Sequence, residues 1–307
     1  MKDLRGYLLI MIAAVFWGCS ATAAKALLNQ EIDTVLIVQT RVVFSSLLLL
    51  LFYMVFKPHL LRVKSRDLWR LALLGVLGVA GSNFTYYFTI KQSTVATAII
   101  LQYTAPLLVM GYTTLMGEER FTVLKLTAAV TTLAGCFLVV GAFDTSVVRL
   151  NASGLVSGIG SMVSFAFLNI YTRHILRRYN VWTTTFYAIS FASMFWLIVN
   201  PPWRVVLHSP PAGTWGWLVV LAVTSILVPH SLYFAGMQYV VASRAIITST
   251  LEPVVAMASA AVFLAEGLHP VQVVGALMVV STILLLQVRR EEERIRIPVA
   301  ARDAHVS

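Results

Sequence analysis

Charged residues are scarce in this sequence. They occupy 12% of its 307 positions, whereas hydrophobic residues occupy 59%. A soluble domain of this length cannot bury so much apolar surface, because surface-to-volume scaling forces polar residues outward. The shortage of charge excludes a soluble fold for most of the chain and indicates that lipid is its solvent.

Cysteine and the usual catalytic motifs are equally scarce. The two cysteines, Cys19 and Cys136, fall in apolar segments and provide neither a disulfide framework nor a metal spacing. The sequence also lacks a glycine-rich phosphate loop, paired histidines at zinc spacing and a nucleophile with a base nearby. We therefore predict no enzyme, no catalytic residue, no metal and no cofactor.

Long apolar segments fill the chain almost from end to end. A helix needs about 20 apolar residues to cross about 30 Å of hydrocarbon. The segments are continuously apolar, which favours helices over the alternating strands of a barrel. We predict ten spans near residues 6–28, 33–56, 68–90, 94–115, 121–141, 153–175, 181–199, 214–237, 242–264 and 270–288.

The net charge of +10 lies mostly in the predicted loops and is not a nucleic-acid signal. An even number of spans puts both termini on one side, and a cytoplasmic placement puts most Lys and Arg side chains inside, Lys125 among them. The positive-inside rule supports this N-in, C-in topology. The exceptions among the 23 basic residues are Lys25, Arg41, Lys91, Arg149 and Arg204.

The chain also divides into two similar halves. A shift of 147 residues places Pro106 on Pro253 and Glu119 on Glu266. We predict a first five-helix repeat over 1–147, a second over 148–288 and a cytoplasmic tail over 289–307. Five spans per half force the second repeat to enter the membrane upside down, as is typical of secondary transporters.

The start of the chain has features of a cleavable signal peptide, with small residues at 21–23, but its apolar stretch runs on and we predict that it is kept.

Charged groups at membrane depth are costly and therefore informative. Glu252 is the only acid near the middle of a span, and the adjacent Pro253 removes a helix hydrogen bond. A charge beside an interrupted helix indicates a substrate or ion site. A purely structural Glu252, capping freed backbone or pairing with Arg244 or Arg41, is the alternative.

Two basic residues also qualify as intramembrane charges. Arg41 lies about seven residues into the second span, where it either forms an internal ion pair or extends to the outer surface. Lys25 lies near an outer helix end, where membrane topology is a sufficient explanation. The predicted coupling or intramembrane charges are thus Glu252, Arg41 and Lys25.

Matched polar clusters occur in the third and eighth spans. Asn83 and Tyr86 are three residues apart, as are His230 and Tyr233, so each pair shares one helix face. These faces either line one central cavity or form hydrogen bonds between helices. The predicted substrate-binding residues are Trp17, Asn83, Tyr86, Tyr87, Gln102, Tyr103, His230, Tyr233 and Glu252.

Three segments resemble a known family. Phe16-Trp17-Gly18, Leu251 to Val254 and Glu266-Gly267 resemble the ten-helix, EamA-type branch of the drug/metabolite transporter superfamily, over about 6–288. The resemblance implies a bacterial inner-membrane transporter of amino acids or other small metabolites, built from two inverted five-helix bundles around a central cavity. The family usually has Ser-Asn where this chain has Cys19-Ser20, so the resemblance assigns no substrate contact to this position.

These observations together predict an all-α integral membrane protein that acts as a secondary active transporter. We expect it to export small metabolites such as amino acids by alternating access. Its partners would be a small-molecule substrate, membrane lipid and a coupling proton, with no nucleic acid, and it would be a monomer or a homodimer. A passive facilitator and a non-transporting receptor or scaffold remain as alternatives.

Overall fold

The computed structural model describes residues 2–28, 32–144, 147–148, 151–207 and 210–288, which form helices and turns without a strand. Nine helices in these ranges are long and apolar enough to cross a membrane, and a shorter apolar helix, Val123–Val139, makes the tenth. The all-α prediction with ten spans is confirmed. Arg149 and the predicted tail, 289–307, lie outside the described residues.

The first half contains five spans in seven α-helices. The first two spans are single helices, the third is divided by a π-helical segment at Leu74–Ala80, and the fourth is broken at residues 103–104. The α-helices are α1 (Lys2–Leu28), α2 (Thr34–Phe56), α3 (Leu68–Leu73), α4 (Gly81–Gln92), α5 (Val95–Gln102), α6 (Ala105–Leu115) and α7 (Val123–Val139).

The second half repeats this pattern. Its third span also contains a π-helical segment, Ala222–Leu227, and its fourth span is also broken, at Thr250. The α-helices are α8 (Ala152–Leu176), α9 (Val181–Val199), the short connecting α10 (Pro202–Leu207), α11 (Ala212–Leu221), α12 (Val228–Gly236), α13 (Ala242–Ser249), α14 (Leu251–Phe263) and α15 (Pro270–Val288).

Helix starts follow from local capping chemistry. Five N-cap side chains each accept a hydrogen bond from the backbone amide three residues later, which satisfies a donor that the helix leaves unpaired. These residues are Asp33, Thr94, Thr122, Asn151 and Asn180. Polar caps between long apolar runs therefore set where the spans begin.

The bundle has two ends, which we name after glutamates in their turns. The Glu119 end carries the turns 116–122 and 237–241, and the Glu266 end carries 93–94 and 264–269. Helix α1 runs from the Glu119 end to the Glu266 end, whereas α8, the first helix of the second half, runs the opposite way.

The two halves pack by exchanging their first helices. Helix α1 packs on α12 and α14 of the second half, and α8 packs on α4, α5 and α6 of the first half. Glycines permit these approaches: a Cβ atom built at Gly6 would lie 3.1 Å from the carbonyl oxygen of Gly236. At Gly158, α8 packs directly against Leu101 of α5.

Both helix irregularities recur at equivalent depth in each half. The π-helical segments lie within one residue of each other after the 147-residue shift, and each helix break lies two or three residues before Pro106 or Pro253. Side chains of neighbouring helices satisfy carbonyls in the second segment: Ser45 Oγ donates to Ala222 O at 2.7 Å and Trp17 Nε1 to Ser225 O at 3.0 Å. Such segments are frequent at functional sites.

Candidate functional site

A cavity of about 650 Å³ lies between the two halves. Its wall contains all the residues predicted from sequence to bind substrate or carry intramembrane charge: Trp17, Lys25, Arg41, Asn83, Tyr86, Tyr87, Gln102, Tyr103, His230, Tyr233 and Glu252. Residues at the Glu266 end, Thr94, Val147 and Gln272 among them, also line it, whereas no residue of the described turns at the Glu119 end does. The cavity therefore opens toward the Glu266 end.

Glu252 lies where the broken spans of the two halves meet. It is the second residue of α14, where the helix dipole favours a negative charge. Tyr103, at the equivalent break of the first half, donates its hydroxyl to Glu252 Oε2 at 2.9 Å. The Glu252 carboxylate is thus held by a phenol from the opposite repeat and remains partly exposed.

Arg41 remains inside the bundle. Its guanidinium donates to the Tyr87 hydroxyl at 2.7 Å and lies 5.5 Å from the centroid of that ring. Its Nε has no hydrogen-bond partner within the described residues, although the side chain is buried. Arg41 thus neither reaches the surface nor forms a salt bridge with Glu252, and it retains an unused donor beside the cavity.

Trp17 is the centre of an aromatic wall. Its ring lies 5.4 Å from His230 and 5.2 Å from Tyr233, measured between centroids. Tyr233 borders the cavity but has no exposed surface, and it donates its hydroxyl to Asn169 Oδ1. His230 Nδ1 lies 3.0 Å from the Ile226 carbonyl oxygen of its own helix. The first and eighth spans therefore supply a largely aromatic wall, and hydrogen bonds hold Tyr233 and His230 in position.

The third and fourth spans supply the opposite wall. Asn83 Nδ2 donates to Val79 O at 2.7 Å, and Gln102 Nε2 donates to Ser82 Oγ at 3.2 Å. Both amide groups retain hydrogen-bonding capacity beyond these single bonds. The Tyr86 ring packs edge-on against Tyr87, with 5.4 Å between centroids.

Lys25 lies at the mouth of the cavity, away from the central cluster. It forms a salt bridge of 2.5 Å with Glu266, and the two side chains are 51% and 44% exposed. Exposed ion pairs of this kind contribute little to stability. The structure therefore separates Lys25 from the deeper charges, Arg41 and Glu252.

Ser20 is a cavity residue that the sequence reasoning did not select. It lines the cavity and is buried, and its hydroxyl has no hydrogen-bond partner in the part of the chain that the structure describes. Cys19, its neighbour, is exposed and does not belong to the cavity wall. Ser20 is three residues after Trp17, and this helical spacing could have identified it.

Gly18 brings this part of α1 against α14. A Cβ atom at this position would lie 2.8 Å from the carbonyl oxygen of Glu252 and 2.7 Å from Val255 Cβ. Only a residue without a side chain permits this approach. The glycine of the Phe16-Trp17-Gly18 segment therefore sets how closely Trp17 and Ser20 approach Glu252.

A second polar cluster closes the Glu119 end of the bundle. Lys125 donates to Glu119 Oε2 at 3.1 Å, and the two side chains are 1% and 3% exposed. Ser243, in the second half, donates its amide to Glu119 Oε1 at 3.3 Å and its hydroxyl to Oε2. Lys125, which the charge count places on the cytoplasmic side, is thus half of a buried ion pair at the start of α7.

Comparisons with known proteins give one family model, relatives named as transporters and a solved structure of the same fold. The model of the EamA-like transporter family matches residues 4–141 and 152–288. The chain is 26% identical to the "uncharacterized inner membrane transporter YicL" of Salmonella typhimurium, over 92% of this chain and 95% of that protein. It is 30% identical to an "uncharacterized transporter" of Archaeoglobus fulgidus, over 90% of this chain and 94% of the relative. A solved crystal structure shares the fold with a TM-score of 0.76, at 16% identity, over 94% of this chain and 98% of that one.

Proposed function

The chain belongs to the EamA-like transporter family, and from this premise we propose that it is a secondary active transporter working by alternating access. Its cargo would be small metabolites such as amino acids, and the direction would be export. A coupling proton would provide the driving force. The relatives are named as transporters, which supports the transport role but leaves substrate, direction and coupling as part of the proposal.

The single observation that carries the proposal is the asymmetric access of the central cavity. The cavity lies between two halves of opposite orientation and opens at the Glu266 end. At the Glu119 end it is sealed by the buried pair of Glu119 and Lys125 and by Arg244, which donates to the Tyr7 hydroxyl at 3.4 Å. In transporters with inverted repeats, rocking of the halves exchanges which end is open. The arrangement supports transport over a scaffold, which needs no polar hollow at its centre.

The chemistry of the wall favours a small zwitterionic or amphipathic substrate. Arg41, which lines the cavity, offers a positively charged guanidinium suited to a carboxylate, and Glu252 offers a carboxylate for an ammonium group. Trp17 and Tyr86 add aromatic surface for an apolar side chain. These features fit an amino acid, with Ser20 as an additional hydroxyl partner.

We further propose a bacterial inner-membrane location with both termini in the cytoplasm. The distribution of Lys and Arg supports this orientation, and the Salmonella relative is named an inner membrane transporter. The Glu119 end would then face the cytoplasm and the cavity would open to the outside. The proposal extends to a monomer or homodimer solvated by lipid.

Transport assays with purified protein in proteoliposomes test the proposed function. Vesicles preloaded with one unlabelled amino acid at a time should accumulate the same labelled compound by counterflow, and an imposed proton gradient should drive accumulation uphill. Counterflow without uphill accumulation would identify a passive facilitator. Failure of water-soluble thiol reagents to reach single cysteines at 83–87 and 230–234 would favour a receptor or scaffold.

Substitution of Tyr86 by alanine should weaken substrate binding about tenfold or more, because aromatic contacts of this kind contribute on the order of 1–3 kcal/mol. Tyr233→Ala should also weaken binding, because it removes a ring of the cavity wall and the hydrogen bond to Asn169 that holds this ring in place. The measurement is the half-saturating substrate concentration in counterflow. Tyr112→Ala is the matched control, since Tyr112 is exposed and outside the cavity wall. Unchanged affinity in both cavity variants would refute the binding-site assignment.

A further inference from the structure

The two ends of the bundle are fastened in different ways. At the Glu119 end, the buried Glu119 carboxylate accepts bonds from Lys125 and from the amide and hydroxyl of Ser243, which joins the two halves. At the opposite end, Glu266 is 44% exposed and pairs with Lys25. Glu119 is therefore buried and hydrogen-bonded between the two halves, whereas Glu266 is partly exposed at the cavity opening.

The internal repeat relates these two glutamates to each other. Glu119 and Glu266 are 147 residues apart, and each follows the fourth span of its own half. The same shift relates Ser243 to Ala96, and these are the second residues of α13 and α5, the helices that open the fourth spans. The contact from Glu119 to Ser243 therefore has an exact counterpart in sequence, from Glu266 to Ala96.

That counterpart contact is not formed in this structure. Glu266 and Ala96 both line the cavity, so the open mouth lies between them. In alternating access the two halves exchange conformations, so the Glu266 end would adopt the closed arrangement now seen at the Glu119 end. This closure would bring the Glu266 carboxylate to the backbone amide of Ala96 in the first turn of α5. A carboxylate at the first turn of a helix is favoured by the unpaired amides and by the helix dipole.

We propose that Glu119 and Glu266 are reciprocal latches of the alternating-access cycle. Glu119 holds Ser243 while the Glu266 end is open, and Glu266 holds the Ala96 amide while the Glu119 end is open. This inference rests on the proposed transport function. Because Ala96 has no hydroxyl, the Glu266 latch lacks the bond that the Ser243 hydroxyl gives to Glu119. This difference favours the state with the Glu119 end closed.

Site-directed labelling measures which end is open. The two native cysteines are removed by Cys19→Ser and Cys136→Ala, and Asn83→Cys in the cavity wall reports access. Right-side-out and inverted membrane vesicles expose one end each to a membrane-impermeant maleimide. The ratio of the two labelling rates gives the balance between states, and we expect faster labelling from the Glu266 end.

Two substitutions at opposite ends should shift that ratio in the same direction. Ser243→Ala removes the hydroxyl bond to Glu119, and Ala96→Ser supplies the missing hydroxyl to Glu266. Each should raise the rate of labelling from the Glu119 end, relative to the rate from the Glu266 end, about tenfold. This is the effect of one hydrogen bond to a charged group. Glu266→Gln should shift the ratio the opposite way.

Thr248→Val is the matched control, because within the described part of the chain the Thr248 hydroxyl bonds the Arg244 carbonyl of its own helix, at 2.7 Å. It should leave the ratio unchanged. If neither Ser243→Ala nor Ala96→Ser changes the ratio, or if they shift it in opposite directions, the latches are refuted. Transport is measured separately, with the same latch substitutions in chains that keep Asn83. An unchanged ratio with intact transport rejects the latches alone, whereas a shifted ratio without transport of any metabolite rejects the proposed function and keeps the latches.

Discussion

Replacement of Glu252 by glutamine is expected to abolish proton-coupled accumulation in proteoliposomes while the protein still inserts and folds. Glutamine has nearly the same volume and can still accept the Tyr103 hydrogen bond at this position. Among the residues that the structure describes, what it removes is the only formal charge that the second half contributes to the centre of the cavity. Uphill accumulation of substrate under an imposed proton gradient is the measurement.

Counterflow in the same variant separates the two roles available to Glu252. If the carboxylate carries the coupling proton, Glu252→Gln should retain counterflow and lose only uphill transport. If the carboxylate binds a substrate ammonium group, counterflow should fall as well. Asp3→Asn, which neutralises an exposed acid outside the cavity, should change neither. Unchanged coupling in Glu252→Gln would remove this residue from the mechanism.

The sequence predicts the helices because the membrane makes apolar length a nearly sufficient signal. No predicted span end differs by more than about four residues from the structure, since the apolar runs stop at polar caps such as Thr94 and Asn180. The breaks in the fourth spans were also foreseeable, because Pro106 and Pro253 each remove a backbone hydrogen bond. Hydropathy and proline chemistry are local properties that can be read directly from the sequence.

The cavity wall was predictable for a different reason. Polar side chains at membrane depth are costly, so Arg41, Asn83, Gln102 and Glu252 needed a wet or hydrogen-bonded surrounding. What could not be predicted is which partner each of them has. Arg41 contacts Tyr87 from another span, 46 residues away, and only the packing of the bundle brings these groups together.

The closed end shows where local reasoning fails. Lys125 lies between a short turn and an apolar run, which is typical of an exposed cytoplasmic charge, and the positive-inside rule counts it without asking whether it is buried. Its burial depends on α13, which belongs to the other half and places Ser243 over Glu119. The π-helical segments also lacked a sequence signal, because both sequences are ordinary apolar runs.

Substitution of Lys125 by methionine should destabilise the protein by about 3–5 kcal/mol, the usual cost of leaving one partner of a buried ion pair without the other. The Glu119 carboxylate would lose its 3.1 Å bond to the ammonium group while remaining 3% exposed. In detergent solution the midpoint of thermal unfolding should fall on the order of 10 °C. Lys91→Met, which removes an exposed charge at the end of α4, should leave the midpoint nearly unchanged.

The double variant Glu119→Gln/Lys125→Met tests whether the cost comes from the unpaired charge. Removal of both charges leaves no uncompensated carboxylate, and replacing buried ion pairs by neutral groups is often close to neutral for stability. The double variant should therefore recover most of the loss, with a coupling energy of roughly 2–3 kcal/mol between the two positions. Additive losses in the double variant would show that Lys125 stabilises the closed end by packing its chain, and that the ion pair with Glu119 contributes little.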